Sequence, residues 1–257
     1  MASRSITLSA LEGIPLIEPG DDLGALLADA LRKMSIVPVT GDIVVVAQKI
    51  VSKAEGRVVD LRAVVPGASA RRLAAQVRKD PRLVEVILSE SSEVVRHQPD
   101  VLIVAHRLGF VMANAGVDQS NVGPDGTEQA LLLPRDPDAS AAALKLRLDR
   151  EFDADLGVVI NDSFGRPWRN GVVGVALGAA GVPAVQSLIG HPDLFGRKLR
   201  VTEVATADEI AAAASLVMGQ SDEGIPAVHI RGVSCHGSWL PLPASALVRP
   251  KTMDLLR

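Results

Sequence analysis

The segment DIVVVAQKIV, residues 42–51, decides the class of fold, because it is an almost continuous run of aliphatic and β-branched residues. A short run of this kind is typical of a strand that is buried on both faces. Before it, residues 21–34 (DDLGALLADALRKM) have the spacing of an amphipathic helix, with acidic residues at its positive end. After it, residues 69–91 have helical spacing, and the Asp80-Pro81 pair begins a new helix. The sequence therefore predicts a buried strand between helical segments.

The rest of the chain also mixes strands with helices, in an order without repeats. This mixed order favours an α+β fold with a mixed sheet over regular βαβ winding. Neither the Rossmann nor the Walker glycine pattern occurs, so the two common nucleotide-binding folds are not expected. Further strands are predicted in residues 6–11, 101–115 (two strands joined near Gly109), 131–134, 155–171 (running into a loop), 198–204 and 226–233. An irregular loop is predicted in 13–20. Helices are predicted in 136–152 and 206–219, and the second of these begins with a capping box from Thr206 to Glu209.

Composition indicates a globular protein with a large aliphatic core, in one large domain or two smaller ones. The 257 residues are 47% hydrophobic and 2% aromatic, and the formal net charge is -3. So few aromatic residues and a slight negative charge argue against nucleic-acid binding. No apolar run approaches the length of a membrane span, so we expect a cytoplasmic protein that is not attached to a membrane. The single cysteine, Cys235, excludes an intrachain disulfide and is expected to be inert, since only His236 lies beside it.

A glycine-bounded polar loop, ANAGVDQSNVG at residues 113–123, follows the strands predicted in 101–115. It places the carboxylate of Asp118 beside three small polar side chains at residues 119–121. The same residue types are ordinary in solvated turns. On this pattern alone, Asp118 either caps a turn or belongs to a site.

A second polar segment, VVINDSFGRPWRNG at residues 158–171, combines a carboxylate with guanidinium groups. Asp162 and Ser163 follow the apolar part of the predicted strand, and Arg166 and Arg169 come next. Magnesium takes oxygen ligands, chiefly carboxylates and phosphate oxygens, while arginine binds phosphate or carboxylate. If the strands before the two aspartates are neighbours, both carboxylates can share one metal site. The alternative, that each aspartate caps a turn, stays open.

Two lysines form a third candidate for phosphate binding. Lys49 and Lys53 flank the end of the strand predicted in 42–51, and lysine is a compact charge that binds phosphate well. A solvated strand exit is the alternative, because lysine is mostly exposed. The histidines have no metal-ligand spacing, and we expect structural roles for them: His97, His106, His191, His229 and His236.

Five blocks of sequence, spread over nearly the whole chain, are more specific together than any single motif. They are GIPLIEPGDDL (13–23), VVAQKIVSKAEGR (45–57), ANAGVDQSNV (113–122), INDSFGRPWRNG (160–171) and VTEVATADEIAAAASLVMGQ (201–220). In order and spacing these blocks resemble the coenzyme F(420)-0:L-glutamate ligase family, the gamma-glutamyl ligases of deazaflavin coenzyme biosynthesis. The resemblance implies one ligase domain over 1–257 with a two-lobed, mixed-sheet α+β fold specific to the family, and a homodimer. Some relatives carry a carboxy-terminal nitroreductase-like domain, which is not expected here.

The resemblance also implies an activity. It is a GTP-dependent ligation of L-glutamate to the phospholactate carboxylate of a deazaflavin precursor, followed by addition of γ-linked glutamates. The reaction would use two magnesium or manganese ions, and a monovalent cation is a further option. A carboxylate is a poor acylating agent at neutral pH, so the γ-phosphoryl group of GTP would first convert it into an acyl phosphate. A related ligase acting on another acid is the alternative, and a nucleotide-binding regulatory module without turnover is a third reading.

Individual residues take roles from the same resemblance. The metal ligands would be Asp118, Asp162, Ser163, where many relatives have threonine, and Gln220. Lys53, Arg166 and Arg169 would be catalytic and oppose phosphate or substrate carboxylates. The nucleotide would contact Ile14, Pro15, Leu16, Ile17, Gln48, Lys49, Lys53, Asn121 and a closing loop made of Met218, Gly219, Gln220, Ser221, Asp222, Glu223 and Gly224.

Overall fold

The computed structural model describes residues 5–123, 128–234 and 240–254. Cys235 and His236, with their predicted inert and structural roles, lie outside these ranges. In chain order the strands and helices are β1 (Thr7–Ala10), α1 (Leu23–Lys33), β2 (Ile43–Ala47), α2 (Gln48–Ala54), β3 (Val58–Asp60), α3 (Ala68–Val77), α4 (Pro81–Ser89), β4 (Ser91–Gln98), β5 (Val101–His106), β6 (Val111–Ala113), β7 (Gln129–Leu131), α5 (Pro137–Phe152), β8 (Gly157–Gly165), β9 (Val172–Ala180), β10 (Gln186–Ser187), β11 (Glu203–Val204), α6 (Thr206–Met218) and β12 (Ala227–Arg231).

A five-stranded mixed sheet lies at the centre, with the strand order β1-β12-β2-β8-β9. β2 and β8 are parallel, whereas the other neighbours are antiparallel. Side chains of the middle strand β2 alternate between two apolar layers. Val44 and Val46 join the layer that contains α1 and α5, and Ile43 and Val45 join the layer that contains α6. Burial on both faces explains the aliphatic run, and the predicted α+β class is confirmed.

A third hydrophobic cluster lies outside the central sheet. It is built on the three-stranded sheet β4-β5-β6, on the strand pair β3-β7 and on helices α3 and α4. As predicted, α4 begins at Pro81 and Asp80 is its N-cap, whose side chain accepts a hydrogen bond from the backbone N–H of Arg82. Two short strands, β10 and β11, pair separately as an arm over residues 185–204. The division of the chain into two lobes stays a prediction.

The strand predicted over residues 42–51 is wrong in its second half. β2 ends at Ala47, and the chain turns at once into α2. Within α2 the hydroxyl of Ser52 donates to Oε1 of Gln48, one helical turn away, at 3.0 Å, and both side chains are buried. Ile50 and Val51 remain buried in the helix. Apolar burial alone therefore did not distinguish strand from helix in this short segment.

Two further expectations differ from the structure. α6 has Ala205 as its N-cap, without a side-chain cap bond. Thr206 is already inside the helix, and its buried hydroxyl has no hydrogen-bond partner within the described ranges. The predicted capping box is therefore wrong. The strand predicted in residues 198–204 shortens to β11, and β4 and β9 were not predicted. β9 contains five small residues, Gly174, Ala176, Gly178, Ala179 and Ala180. Helices approach it closely at Gly174 and Gly178, and its glycines and alanines hid the strand signal.

Buried histidines serve the structure. Nε2 of His229 lies 2.8 Å from the carboxylate of Asp42, which also pairs with Arg231, so this contact ties β12 to the start of β2. His106 is buried in β5, and its Nδ1 accepts the backbone N–H of Leu108 at 2.9 Å. Among the described residues, none of the helices has both the length and the apolar character that crossing a membrane requires.

Candidate functional site

A cleft of about 540 Å³ opens where the parallel strands β2 and β8 leave their paired stretch. In open α/β sheets, ligands bind at the carboxyl ends of neighbouring parallel strands, because polar loops meet there. The last register pair of the two strands, Ala47 and Asn161, lies in the wall of the cleft. The wall is formed by residues 14–17, 47–50, 53, 118, 120–121, 161–163 and 218–226.

β8 brings Asn161, Asp162 and Ser163 to the cleft. These residues lie within the strand, which continues to Gly165, rather than at its end as predicted. A bulge separates Ile160 from Asn161 in the pairing with β9. Bulges of this kind re-aim side chains next to functional sites.

Burial makes two oxygen-bearing groups of β8 costly. Desolvation raises the pKa of the Asp162 carboxyl to about 6. Oδ1 of Asn161 is buried and has no hydrogen-bond partner among the described residues, although Nδ2 of the same side chain donates to Ser215 at 3.1 Å. Ser163, which follows Asp162, donates its hydroxyl to Oε1 of Gln220 at 2.7 Å. A cation in the cleft would compensate the carboxylate of Asp162.

The loop after β6 holds Asp118 in a fixed backbone position. Its N–H and C=O exchange hydrogen bonds of 3.0 and 2.8 Å with the backbone of Leu131. Its carboxylate accepts the N–H of Ser120 at 2.8 Å and the hydroxyl of Ser120 at 2.9 Å, and Nζ of Lys49 lies 2.7 Å away. Burial alone raises the pKa of Asp118, but the bonds from Lys49 and Ser120 outweigh it and hold the pKa below its usual value.

α2 presents two lysines to the cleft, one helical turn apart. Lys49 is paired with Asp118, whereas Lys53 forms no ion pair within the described part of the chain. Partial burial, and then the charge of Lys49, lower the pKa of the Lys53 ammonium. Lys53 is thus a half-buried cation beside an open cleft, which suits a phosphate group.

Two loops meet across the mouth of the cleft. Nδ2 of Asn121 donates to the backbone carbonyl of Ser221 at 3.2 Å and so links the Asp118 loop to the loop after α6. Within the second loop, Glu223 accepts the N–H of Ser221 at 2.8 Å. Gly219 has φ +73°, and a Cβ there would lie 2.1 Å from the Glu223 carboxyl carbon. The loop is therefore folded tightly on itself beside the cleft.

Residues 14–17 form an apolar part of the rim. Ile17 is buried in the layer below, whereas Leu16 is 89% exposed. Gln48 lines the cleft but is only 3% exposed, and its side chain already bonds to Ser52. A large apolar side chain that stands free at a cleft mouth is available for contact with a ligand.

The structure brings the predicted metal and nucleotide residues together in this one cleft. It does not bring Arg166 and Arg169 there: both are exposed in the loop between β8 and β9, outside the residues that line the cleft. Sequence reasoning assigned no role to Asn161 and Ser120, although each lies within two residues of a predicted aspartate. It missed the segment Ile225–Pro226, which follows the closing loop directly and carried no polar signal.

The chemistry of the oxygens suits a hard divalent cation. In the parts of the chain that the structure describes, no group of three or more His, Cys, Asp or Glu side chains can hold a metal ion by itself. Asp118 and Asp162 nevertheless line one cleft, with Ser163 and Gln220 beside them. Magnesium commonly uses one or two carboxylates and completes its coordination with substrate phosphate and water. The residues present fit that pattern.

Comparison with known proteins identifies the group to which the sequence is similar. Residues 13–232 match the family model described as F420-0:Gamma-glutamyl ligase. The chain is 47% identical over 252 residues to the coenzyme F420:L-glutamate ligase of Methanothermobacter thermautotrophicus, covering 98% of this chain and 99% of the relative. It is 45% identical to the enzyme of the same name from Methanopyrus kandleri, over 96% and 97% of the two chains. For the enzyme of that name from Methanocaldococcus jannaschii, identity is 39%, over 99% and 98%.

Proposed function

The chain belongs to the F420-0:gamma-glutamyl ligase family, and from this premise we propose that it joins L-glutamate to the phospholactyl carboxylate of a deazaflavin precursor. Repetition on the product adds further glutamates through their γ-carboxylates. The observation that carries the proposal is the convergence of Asp118, Asp162 and Lys53 on one cleft. Carboxylates that can hold a cation, next to a lysine, suit the transfer of a phosphoryl group, which depends on positioning and on neutralising charge.

In the proposed reaction, GTP activates the acid. The γ-phosphoryl group passes to an oxygen of the substrate carboxylate, the β,γ-phosphoanhydride bond breaks, and GDP and an acyl phosphate result. The amine of glutamate then attacks the acyl carbon and forms the amide bond, while inorganic phosphate leaves and the amine gives up a proton. Activation is needed because an unactivated carboxylate does not acylate an amine at neutral pH.

Each part of the cleft has a task in this proposal. Lys53, an ammonium without an acidic partner among the described residues, opposes the phosphate charge. Leu16 on the rim and the loop of residues 218–224 cover the nucleotide and keep water from the acyl phosphate. Asn121 ties that loop to the Asp118 loop and contacts the nucleotide. Gln48 and Lys49 complete the part of the cleft wall that faces the phosphates of the nucleotide.

Magnesium or manganese is the proposed metal, as two ions. Asp118, Asp162, Ser163 and Gln220 would hold them, and a monovalent cation is a further component that the family resemblance raises. Bound divalent ions neutralise charge on the phosphate oxygens. Support comes from the raised pKa of Asp162, because burial raises this pKa by more than the charge of Lys49 lowers it. Arg166 and Arg169 stay predictions as partners of substrate carboxylates.

The proposed assembly is a homodimer. The arm between β10 and β11 carries large apolar side chains that the rest of the chain does not cover: Leu194 is 98% exposed, Phe195 95% and Val201 84%. Exposed apolar patches on soluble proteins commonly mark interaction sites. A second copy of the chain would cover them.

The test of the function is incubation of the purified protein with the deazaflavin precursor, L-glutamate, GTP and manganese, followed by mass measurement. We expect products heavier by one or more glutamyl units, with GDP formed in equal number. Asp118→Asn serves as the inactive control. GDP release that is independent of the acceptor, or an unchanged precursor, would contradict the proposal, and a product with a different acid would instead support the related ligase. Replacing GTP with ATP tests which of the two nucleotides the reaction uses.

A further inference from the structure

Lys49 occupies the carboxylate that the proposed metal needs. Its Nζ lies 2.7 Å from Oδ2 of Asp118, 2.8 Å from the hydroxyl oxygen of Ser120 and 3.2 Å from the carbonyl oxygen of Ser120. A lysine ammonium has three donors, and these three oxygens use all of them. The carboxylate of Asp118 thus already has a cation, fully engaged, in the protein without ligands.

Lys53 provides the contrast within the same helix. It lies one turn further along α2, lines the same cleft and carries the same charge. Within the described ranges it forms no ion pair. The engagement of Lys49 therefore does not follow from the charge of the cleft in general. It depends on the position of Lys49 opposite the Asp118 loop.

A divalent ion bound to Asp118 would lie close to the ammonium of Lys49 on the same carboxylate, and two cations that close repel each other where water is largely excluded. The backbone of Asp118 is held by bonds to Leu131, and its carboxylate accepts the N–H and the hydroxyl of Ser120. The side chain of Lys49, by contrast, has four rotatable bonds and is 29% exposed. Of the two groups, the lysine is therefore the one with freedom to move.

We propose that Lys49 is a displaceable counter-ion of Asp118: it holds the carboxylate in the metal-free protein, leaves it when a divalent ion binds, and turns its ammonium to the phosphates of the nucleotide. This inference rests on the proposed function, because it takes Asp118 as a metal ligand. It makes metal binding and nucleotide binding cooperative, since the group that the metal releases is a group that the nucleotide binds.

The first experiment measures Mn²⁺ binding without nucleotide, by electron paramagnetic resonance of the free ion. Lys49→Ala should bind Mn²⁺ about tenfold more tightly than the wild type, because the competing cation is gone. Lys49→Arg keeps the charge and should stay near the wild type. Lys53→Ala is the matched control, with the same loss of charge from the same helix, and should change the affinity by less than about threefold. Equal effects of the two alanine variants would overturn the proposal, as would weaker binding by Lys49→Ala.

The second experiment titrates GTP by calorimetry at saturating Mn²⁺ and without acid substrates. Here the sign should reverse: Lys49→Ala should bind GTP about tenfold more weakly, because the released ammonium is missing, and Lys49→Arg should restore most of the affinity. Unchanged GTP affinity of Lys49→Ala would overturn the part of the proposal in which the Lys49 ammonium moves to the phosphates. Asp118→Asn separates this inference from the proposed function. If this variant binds Mn²⁺ with wild-type affinity, Asp118 is not a metal ligand, and the metal site of the proposed function is contradicted. Reduced affinity there, together with an inert Lys49→Ala, overturns the counter-ion alone.

Discussion

At the scale of single residues, the cleft contains groups that reduce stability in the protein alone. Asp162 has a pKa raised to about 6 by burial, and the side-chain carbonyl oxygen of Asn161 is buried without a hydrogen-bond partner in the described part of the chain. Strained or desolvated polar groups of this kind collect at functional sites, where the ligand supplies what is missing. Asp118 is the opposite case, because Lys49 and Ser120 already satisfy its carboxylate. Replacing each aspartate by asparagine is therefore expected to change the stability of the metal-free protein in opposite directions.

Asp162→Asn should stabilise the metal-free protein above pH 6. The folded-state pKa of Asp162 is about 6 and its ordinary value is 3.8, so the native state binds the proton more tightly. The stability that Asp162 contributes is present below pH 4 and is lost as pH rises through 6. The cost at pH 8 is on the order of 3 kcal/mol, from about 1.4 kcal/mol per pKa unit. The melting temperature of the variant should exceed that of the wild type by several degrees at pH 8 and equal it near pH 4.

Scanning calorimetry over a pH series, with and without Mn²⁺, checks this expectation. Mn²⁺ should raise the melting temperature of the wild type much more than that of Asp162→Asn. Asp118→Asn is the matched control with the opposite sign: it should lower the melting temperature at pH 8, because it breaks the contacts to Lys49 and Ser120. A less stable Asp162→Asn at pH 8 would show that the carboxylate is compensated within the protein.

At the scale of elements, short connections position the site. α2 starts directly after β2, so Lys49 and Lys53 project from a helix at the sheet edge instead of from a strand. The loop after α6 turns back at Gly219, whose φ of +73° and ψ of −174° are disfavoured for residues with a Cβ. Its bond from Asn121 to Ser221 joins it to the Asp118 loop. Backbone conformation at a few junctions thus fixes the mouth of the cleft.

Gly219→Ala should loosen the closing loop while the sheet and helices stay folded. The added Cβ would meet the Glu223 carboxyl at 2.1 Å, in a backbone conformation that alanine adopts only under strain. We expect about tenfold weaker GTP binding, equivalent to roughly 1.4 kcal/mol, measured by calorimetry. Gly224→Ala is the control in the same loop, because φ is +67° there but no atom lies within 4 Å of the added Cβ. Equal effects of the two variants would assign the loss to backbone strain rather than to the Glu223 contact.

At the scale of the whole molecule, the parts that form the cleft come from different clusters. β2 and β8 belong to the central sheet, whereas Asp118 follows β6 of the three-stranded sheet. Arg57 helps to join these parts: its Nη2 pairs with Glu90 at 2.8 Å, and its Nε donates to the carbonyl of Leu133 at 3.0 Å. The arm of residues 185–204 carries highly exposed apolar side chains. The cleft and the surface proposed for the dimer are therefore both properties of the folded chain as a whole.

Substitution of the arm should dissociate the proposed homodimer. Leu194→Asp combined with Phe195→Asp places two charges on a patch that a partner would bury, which is strongly unfavourable in an apolar interface. We expect a dimer for the wild type and a monomer for the double variant, measured by sedimentation equilibrium. Val65→Asp, at an exposed apolar residue far along the chain from the arm, should leave the dimer intact. A monomeric wild type would contradict the proposed assembly.

The sequence by itself determined the α+β class, most helices, the two polar segments and the family. These features depend on local periodicity, on turn residues and on blocks of residues in a fixed order, all of which a linear pattern carries. Local pattern did not distinguish the start of α2 from a continued strand, since Ile50 and Val51 are buried in either case. It also did not reveal β9, whose small residues make room for helices that come from elsewhere in the chain.

Only the tertiary structure decided which polar residues share a site. Asp118 and Asp162 are 44 positions apart in sequence, and they face one cleft because β8 pairs in parallel with β2 while the β6 loop is fixed against Leu131. The contact of Lys49 with Asp118, the burial of Asp162 and the exposure of Arg169 have the same origin. Side-chain contacts between segments distant in sequence depend on the pairing of strands and on the packing of layers, and these are set by the free energy of the whole chain.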